Sequence, residues 1–484
     1  MVEKTLDPEN WDEMRSLGHD MMDDVIDYLQ NVRSRPVWTP FPNSSKEFLT
    51  EKLPQDSMDA KAVYKQFKKE IFPYTKGNIH PRFWAWVQGT GTPMGVMADM
   101  LASTMNPNVT IGEQSALYVD QQVVNWCKEM MGFPDSASGM LLSGASMANT
   151  TALIIARNTM LPDVRKNGMQ SEIKKPTIYL SKETHSCVIK AAEVIGIGSN
   201  NIRTLPVGDQ YKIMIDKLEM QIKQDISEGF NPFCIVANVG TVNTGAIDDL
   251  TSISQLCKKY NLWFHIDGAF GALAKLTPEY QEELKPIELA DSVAFDLHKW
   301  MYMPYEVACV LVKNNASHRD AFVIQPSYLL NHERGLAAGP DSLNNFGIEL
   351  SRGFKALKVW MSLKEHGVKK YAEQIEKNIH QARYLATLID RHKRLELLAS
   401  VTLNIVCFRY NHGNSSEKKL NHLNKEIVMK IQEQGIASPS STFLNGKYAI
   451  RVAITNHRSL TEDFDIFVDE VLRLGDELDL LLLD

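Results

Sequence analysis

Between residues 139 and 312 the chain alternates short apolar runs with longer amphipathic stretches, and this alternation limits the possible fold more than any other feature. Runs at 139–142, 177–180 and 233–239 are each followed by a helix-length pattern, at 147–160, 186–194 and 250–259. Three more apolar runs stand at 262–266, 292–295 and 308–312. Runs that are apolar throughout, rather than at every second position, fit strands covered on both faces. The pattern predicts βα units, and so an α/β fold with a mostly parallel central sheet flanked by helices.

The flanks read differently. Asp7 and Pro8 suit a helix start, and Met14, Leu17, Met21, Val25 and Tyr28 recur at spacings of three and four, which predicts one amphipathic helix. The Pro-rich stretch 35–42 ends it, so residues 1–90 read as a helical arm suited to reach a second subunit. Residues 91–375 form the expected large domain. Beyond them, long amphipathic helices mix with a few strands, and a last helix opens at the capping-box spacing Ser459-Leu-Thr-Glu462. Residues 376–484 therefore read as a small α+β domain.

Composition excludes several partners. The 484 residues carry 52 Lys+Arg against 59 Asp+Glu, a net charge of −7, without the basic excess that a nucleic-acid partner requires. No apolar run approaches the ~20 residues needed to span a bilayer. The first residues have neither an apolar signal core nor a basic transit pattern, so a cytoplasmic location is expected. The six cysteines are dispersed without a C-x-x-C pair; they read as small buried hydrophobes in a reducing compartment, with no metal site.

Open parallel sheets gather ligands beyond the carboxyl ends of their strands, so the polar residues there are the candidates for chemistry. Asp267 ends one run and is followed by Gly268 and Ala269. Asp296-Leu-His298-Lys299-Trp300 ends another. Ser143-Gly-Ala145-Ser146 leads into a helix, Glu183-Thr-His185 follows the 177–180 run, and Gly240-Thr241 follows 233–239. Each alone fits a turn or a cap. Together they supply what pyridoxal phosphate needs: a lysine for the aldimine, a carboxylate for the pyridine nitrogen, and backbone N–H groups at a helix start for the phosphate. An imidazole and a small alanine suit the two ring faces.

On His265-Ile-Asp267-Gly-Ala269 and Asp296-Leu-His298-Lys299-Trp300, the sequence resembles the group II pyridoxal-phosphate-dependent amino-acid decarboxylases, from the arm to the last helix. The resemblance implies the fold-type-I architecture of aspartate aminotransferase. It implies that Lys299 carries the cofactor, Asp267 pairs with the ring nitrogen and His185 stacks on the ring. Ala145 and Ser146, with Asp296 nearby, would hold the phosphate, and Thr241 and Ala269 would complete the cofactor site. His298 would act beside the lysine. His80 would line the substrate entrance with Trp84 and Trp86, although bulky aromatics in such a stretch are more often core residues.

The same resemblance gives Tyr328 a role on a mobile loop, protonating the substrate carbon and favouring simple decarboxylation over aldehyde formation. It implies a homodimer with a shared site and an amino-acid substrate, aromatic first. Glutamate-like or other polar amino acids come second, with aldehyde synthase or carbon–carbon lyase chemistry as alternatives. Met147, Val242 and Asp296 depart from the family pattern around the phosphate. Arg352 and Arg451 could each meet a substrate carboxylate, but a structural ion pair is the expected use of either.

Overall fold

The computed structural model describes residues 3, 5–324, 332–413 and 415–481. Its strands are β1 (Phe83–Trp84), β2 (Ser138–Leu142), β3 (Pro176–Ser181), β4 (Ile202–Leu205), β5 (Asn231–Asn238), β6 (Trp263–Asp267), β7 (Ser292–Asp296), β8 (Ala308–Val312), β9 (Leu395–Leu397), β10 (Ile405–Tyr410), β11 (Ser438–Leu444) and β12 (Lys447–Ala453). Seven of them form one sheet in the order β2-β8-β7-β6-β5-β3-β4. From β7 to β4 every pairing is parallel, and β8 alone runs antiparallel to both its neighbours. All six runs expected from the sequence are strands of this sheet. The addition is β4, an edge strand of four residues with only two strongly apolar positions, too short to register as a pattern.

β6, β7 and β8 are buried at every position, which explains their lack of alternation. The helix Ala145–Met160 lies across β5 to β8 and turns Ala148, Ala152 and Ala156 into the core, where all three are fully buried. Small side chains on that face let the helix axis approach the sheet closely. The N-terminus of this helix is thereby set against the ends of β6 and β7.

A second sheet has the order β1-β11-β12-β10-β9 and is antiparallel except where β1 joins β11. Strand β1 comes from the arm segment, so the N-terminal region supplies an edge to the C-terminal sheet. Trp84 in β1 is 1 % exposed, stacks on Phe464 at 4.7 Å and donates from Nε1 to Ser459 Oγ at 3.0 Å. This corrects its expected place at the substrate pocket: Trp84 is a core residue of the second sheet. The helix Ala356–Arg391 runs between the two apolar cores, with a break at Gly367 (φ 70°), and the division expected at residue 375 falls inside it.

Two helix starts differ from expectation. The first helix is Trp11–Gln30, and Asn10 rather than Asp7 caps it, accepting from the N–H groups of Asp12 and Glu13. The last is Thr461–Leu481; Asp463 accepts from the N–H of Leu460, while Ser459 is held by Trp84 and Pro81 instead of capping. All six cysteines are buried and unpaired. No described helix is long and apolar enough to cross a membrane.

Candidate active site

Beyond the carboxyl ends of the parallel strands lies a cavity of about 430 Å³. Its wall includes Ala145, Ser146, His185, Asp267, Ala269, Asp296, His298, Lys299 and Trp86. A larger hollow of about 580 Å³ beside Trp126 and Lys364 contains none of these residues.

Lys299 sits in the one-turn helix Leu297–Trp300 that follows β7, with Nζ 2.8 Å from Asp296 Oδ2. Gly89 packs against the carbonyls of His298 and Lys299 so closely that a Cβ there would lie 2.2 and 2.4 Å from them. The glycine thus fixes the lysine's backbone from the arm side. Burial disfavours the charge on Lys299, but the Asp296 carboxylate outweighs it and raises the ammonium pKa above its usual value, with Asp267 adding to the effect. The lysine is therefore held protonated between two carboxylates.

Asp267 ends β6 and is 5 % exposed. Its Oδ1 accepts from the N–H of Ala269 at 3.2 Å. Burial pushes its pKa up, opposed by the charge of Lys299, the Ala269 N–H, His185 and the side chain of Asn149. A carboxylate so placed calls for a cationic partner from within the cavity.

His185 is the N-cap of the helix Ser186–Val194, and its Nδ1 accepts from the N–H of Cys187 at 3.1 Å. In the neutral ring the proton is therefore on Nε2. Burial lowers its pKa. His298 is oriented in the same way: Nδ1 accepts from the N–H of Val307 at 3.1 Å, Nε2 lies 3.7 Å from Asp296 Oδ1, and burial lowers its pKa. Its ring lies 4.3 Å from that of Tyr305, a cavity residue that the sequence did not single out.

The helix Ala145–Met160 begins at the cavity, preceded by Gly144. The Asp296 carboxylate accepts from the N–H of Ala145 at 2.6 Å. The departure from the family pattern at 296 thus places an anionic acceptor at the helix start.

Besides Trp84, three expected site residues stand elsewhere or outside the described residues. Thr241 is 1 % exposed and is not part of the cavity wall; its Oγ1 accepts from the N–H of Ala246 at 2.9 Å and pairs with Thr244, tying the turn after β5. His80 is 1 % exposed, with Nδ1 accepting from the N–H of Arg82 at 3.0 Å; it borders the hollow under the arm helices, not this cavity. Burial lowers its pKa to about 4. Tyr328 lies outside the described residues. Trp86 does line the cavity, with φ +54° and the ammonium of Lys76 4.2 Å above its ring.

Arg451 differs from the ion pair expected of it. It makes no ion pair among the described residues. Instead its guanidinium donates to the carbonyls of Trp86, Val242 and Asn243 and to Ser440 Oγ, and it borders the cavity while only 4 % exposed. Position 451 in an apolar strand gave no hint that Trp86 and the 242–243 turn, both distant in sequence, converge on it. Arg352 does pair, with Glu349 at 3.4 Å, and donates to the carbonyl of Leu141, away from the cavity.

These residues fit pyridoxal phosphate. A lysine and a buried carboxylate face one cavity, small residues leave room for a flat ring, and a sixteen-residue helix starts at its wall. The comparisons agree. Residues 42–411 match the pyridoxal-dependent decarboxylase conserved domain. The chain is 35% identical over 471 residues, 96% of each sequence, to the aromatic-L-amino-acid decarboxylase of Bacillus atrophaeus. It is 27% identical to a phenylacetaldehyde synthase of Arabidopsis thaliana, covering 96% of this chain and 97% of that one. The crystal structure of Catharanthus roseus tryptophan decarboxylase in complex with L-tryptophan superimposes with a TM-score of 0.87 at 25% identity, over 98% of this chain and all of the other. On sequence, architecture and the residues around its cavity, this chain belongs to the pyridoxal-dependent decarboxylases, carboxy-lyases that use pyridoxal phosphate.

Proposed function

We propose that the protein decarboxylates an aromatic L-amino acid to the corresponding amine, using Lys299 to carry the cofactor. The observation that carries this reading is the convergence of Lys299 and Asp267 on one cavity at the ends of adjacent strands β6 and β7. When bound, pyridoxal phosphate supplies an electron sink conjugated to the substrate's Cα. Asp267 holds a proton at the ring nitrogen, which makes that sink effective. His185 packs on the ring and presents an Nε2–H. Ser146 offers the helix N-terminus to the phosphate, beside Ala145, whose N–H the Asp296 carboxylate takes in this structure.

Arg451 gives the cavity a buried positive charge on the side of Trp86 and Ser440, suited to a substrate carboxylate. The exposed ring of Trp86 supports an aromatic side chain, as do the names of the relatives. The six buried thiols suit a reducing cytoplasm. The arm helices leave Trp11, Met14, Met21, Val63 and Phe67 exposed, which supports a homodimer with a site shared between subunits.

Carbon dioxide release from a panel of L-amino acids, with cofactor added, tests the reading. Tyrosine, phenylalanine or tryptophan should give the amine. Turnover of glutamate or another polar amino acid alone would replace the substrate class. Similarity to a phenylacetaldehyde synthase favours a second reading, and residue 328 separates the two: Tyr328→Phe should shift product from amine toward aldehyde. An unchanged amine yield would remove Tyr328 from the reaction.

A further inference from the structure

The turn that leaves Lys299 is held by side chains that none of the roles above employs. The helix carrying the lysine, Leu297–Trp300, is a single turn, too short to persist alone. After it, the N–H groups of Tyr302 and Met303 donate to the carbonyls of Lys299 and Leu297, at 3.2 Å each. Tyr302 thereby stands at φ +53°, a conformation that a residue with a side chain keeps only where its surroundings impose it.

Those surroundings converge on one amide. The hydroxyl of Tyr302 and the indole Nε1 of Trp300 both donate to Asn378 Oδ1, at 2.8 and 3.2 Å. The N–H of Asn456 donates to the same oxygen at 3.2 Å. Asn378 Nδ2 donates to the carbonyl of Asn456 at 2.9 Å and to Gln381 Oε1 at 3.0 Å. An indole and a backbone N–H only donate, so the oxygen must face them, and every hydrogen-bonding position of Asn378 is filled. Asn378, Trp300 and Tyr302 are all buried. Asn378 belongs to the helix Ala356–Arg391, between the two cores, and its other partners lead away from the lysine. Gln381 Nε2 donates to the carbonyl of Ser459, and Asn456 Nδ2 to that of His80, each at 2.8 Å. One side chain thus joins the turn after Lys299 to the C-terminal domain and the arm.

We infer that Asn378 and Tyr302 are positioning residues for Lys299: the hydrogen bond between them locks the left-handed turn and so keeps the lysine amine against Asp296 at the cavity wall. The importance of that amine rests on the cofactor reading above, but the contacts are this chain's own. Two substitutions separate positioning from stability. Tyr302→Phe removes only the hydroxyl that reaches Asn378 and keeps the ring edge-on to His457, 5.2 Å away. Gln381→Met breaks the same joint on the side away from Lys299 and is the control for a general loss of stability.

The readout is acetylation of Lys299 by acetic anhydride in the full chain without cofactor, followed across pH by mass spectrometry of the peptide that contains it. Only the uncharged amine reacts. The titratable groups facing it are Asp296, Asp267, Tyr305, His185 and His298. Asp296 is the main group raising the ammonium pKa, so loosening their contact lowers it. In Tyr302→Phe the pH profile should move down by about half a unit or more, about threefold in rate below the pKa. Gln381→Met should keep the profile of the unsubstituted chain. An unmoved profile in Tyr302→Phe, or an equal shift in both variants, overturns the inference. Asn378→Leu should move the profile as Tyr302→Phe does, and an unmoved profile in a folded Asn378→Leu also overturns it. If Asn378→Leu does not fold, Tyr302→Phe, which loses a single hydroxyl, still decides. Failure of borohydride to fix cofactor on Lys299 of the unsubstituted chain would instead sink the cofactor reading, with the joint still judged by acetylation.

Discussion

Lys299, Asp267 and His185 could be singled out as residues because their chemistry admits few substitutes and strand ends are few. Replacing Asp267 by Ala removes the one carboxylate that ends β6 at the cavity. Turnover should fall about 10²–10³-fold, the scale of losing one placed charge-stabilising group, while borohydride still fixes cofactor on Lys299. Near-normal single-turnover release of carbon dioxide would remove Asp267 from its proposed role. Other residues were not legible. His80 and Trp84 belong to an aromatic stretch that reads the same whether it lines a pocket or fills a core, and only packing against Phe464 resolves Trp84. Arg451 meets partners that lie far away in sequence, so no local spacing marks it.

Elements place these residues by contact, and two contacts are testable. Gly89→Ala would drive a Cβ into the carbonyls of His298 and Lys299. Overpacking of this kind costs about 1–3 kcal/mol, so the melting temperature should drop and cofactor affinity should weaken with it. A variant with unaltered stability and affinity would show that the segment yields freely. In the second sheet, Glu396 on β9 accepts from Arg409, Asn411 and Lys447, joining β9, β10 and β12. Burial pushes its carboxyl pKa up, but hydrogen bonds from Lys447, Arg409 and Asn411 prevail and hold it at about 2. A folded-state pKa below the unfolded value of about 4.3 means that the stabilisation is fully present above pH 4.3 and is lost as pH falls toward 2. Glu396→Gln should therefore cost roughly 1.5–3 kcal/mol near pH 7, as measured by urea unfolding. That difference should close between about pH 4 and pH 2.

At the scale of the whole molecule, the arm helix Trp11–Gln30 buries only Leu17 within its own chain, while Trp11 remains 62 % exposed. Sedimentation should give twice the 54.7 kDa chain mass, and the double substitution Trp11→Glu, Met14→Glu should shift the protein toward monomer with loss of activity. A wild-type monomer at working concentration would exclude the shared site. The sequence by itself determined the class of fold, six strands of the large sheet in their chain order, and the lysine and aspartate that face one cavity. It could do so because burial on both faces of a parallel sheet dictates unbroken apolar runs, and because pyridoxal phosphate requires particular groups at their ends. Tertiary structure alone decided that β1 joins the C-terminal sheet, that Thr241 ties a turn and that Arg451 has carbonyls instead of a carboxylate for partners. It also decided that His265 is buried between Asn149 and Ser292. Those outcomes depend on groups brought together from distant parts of the chain, and their energies exist only once the chain has folded.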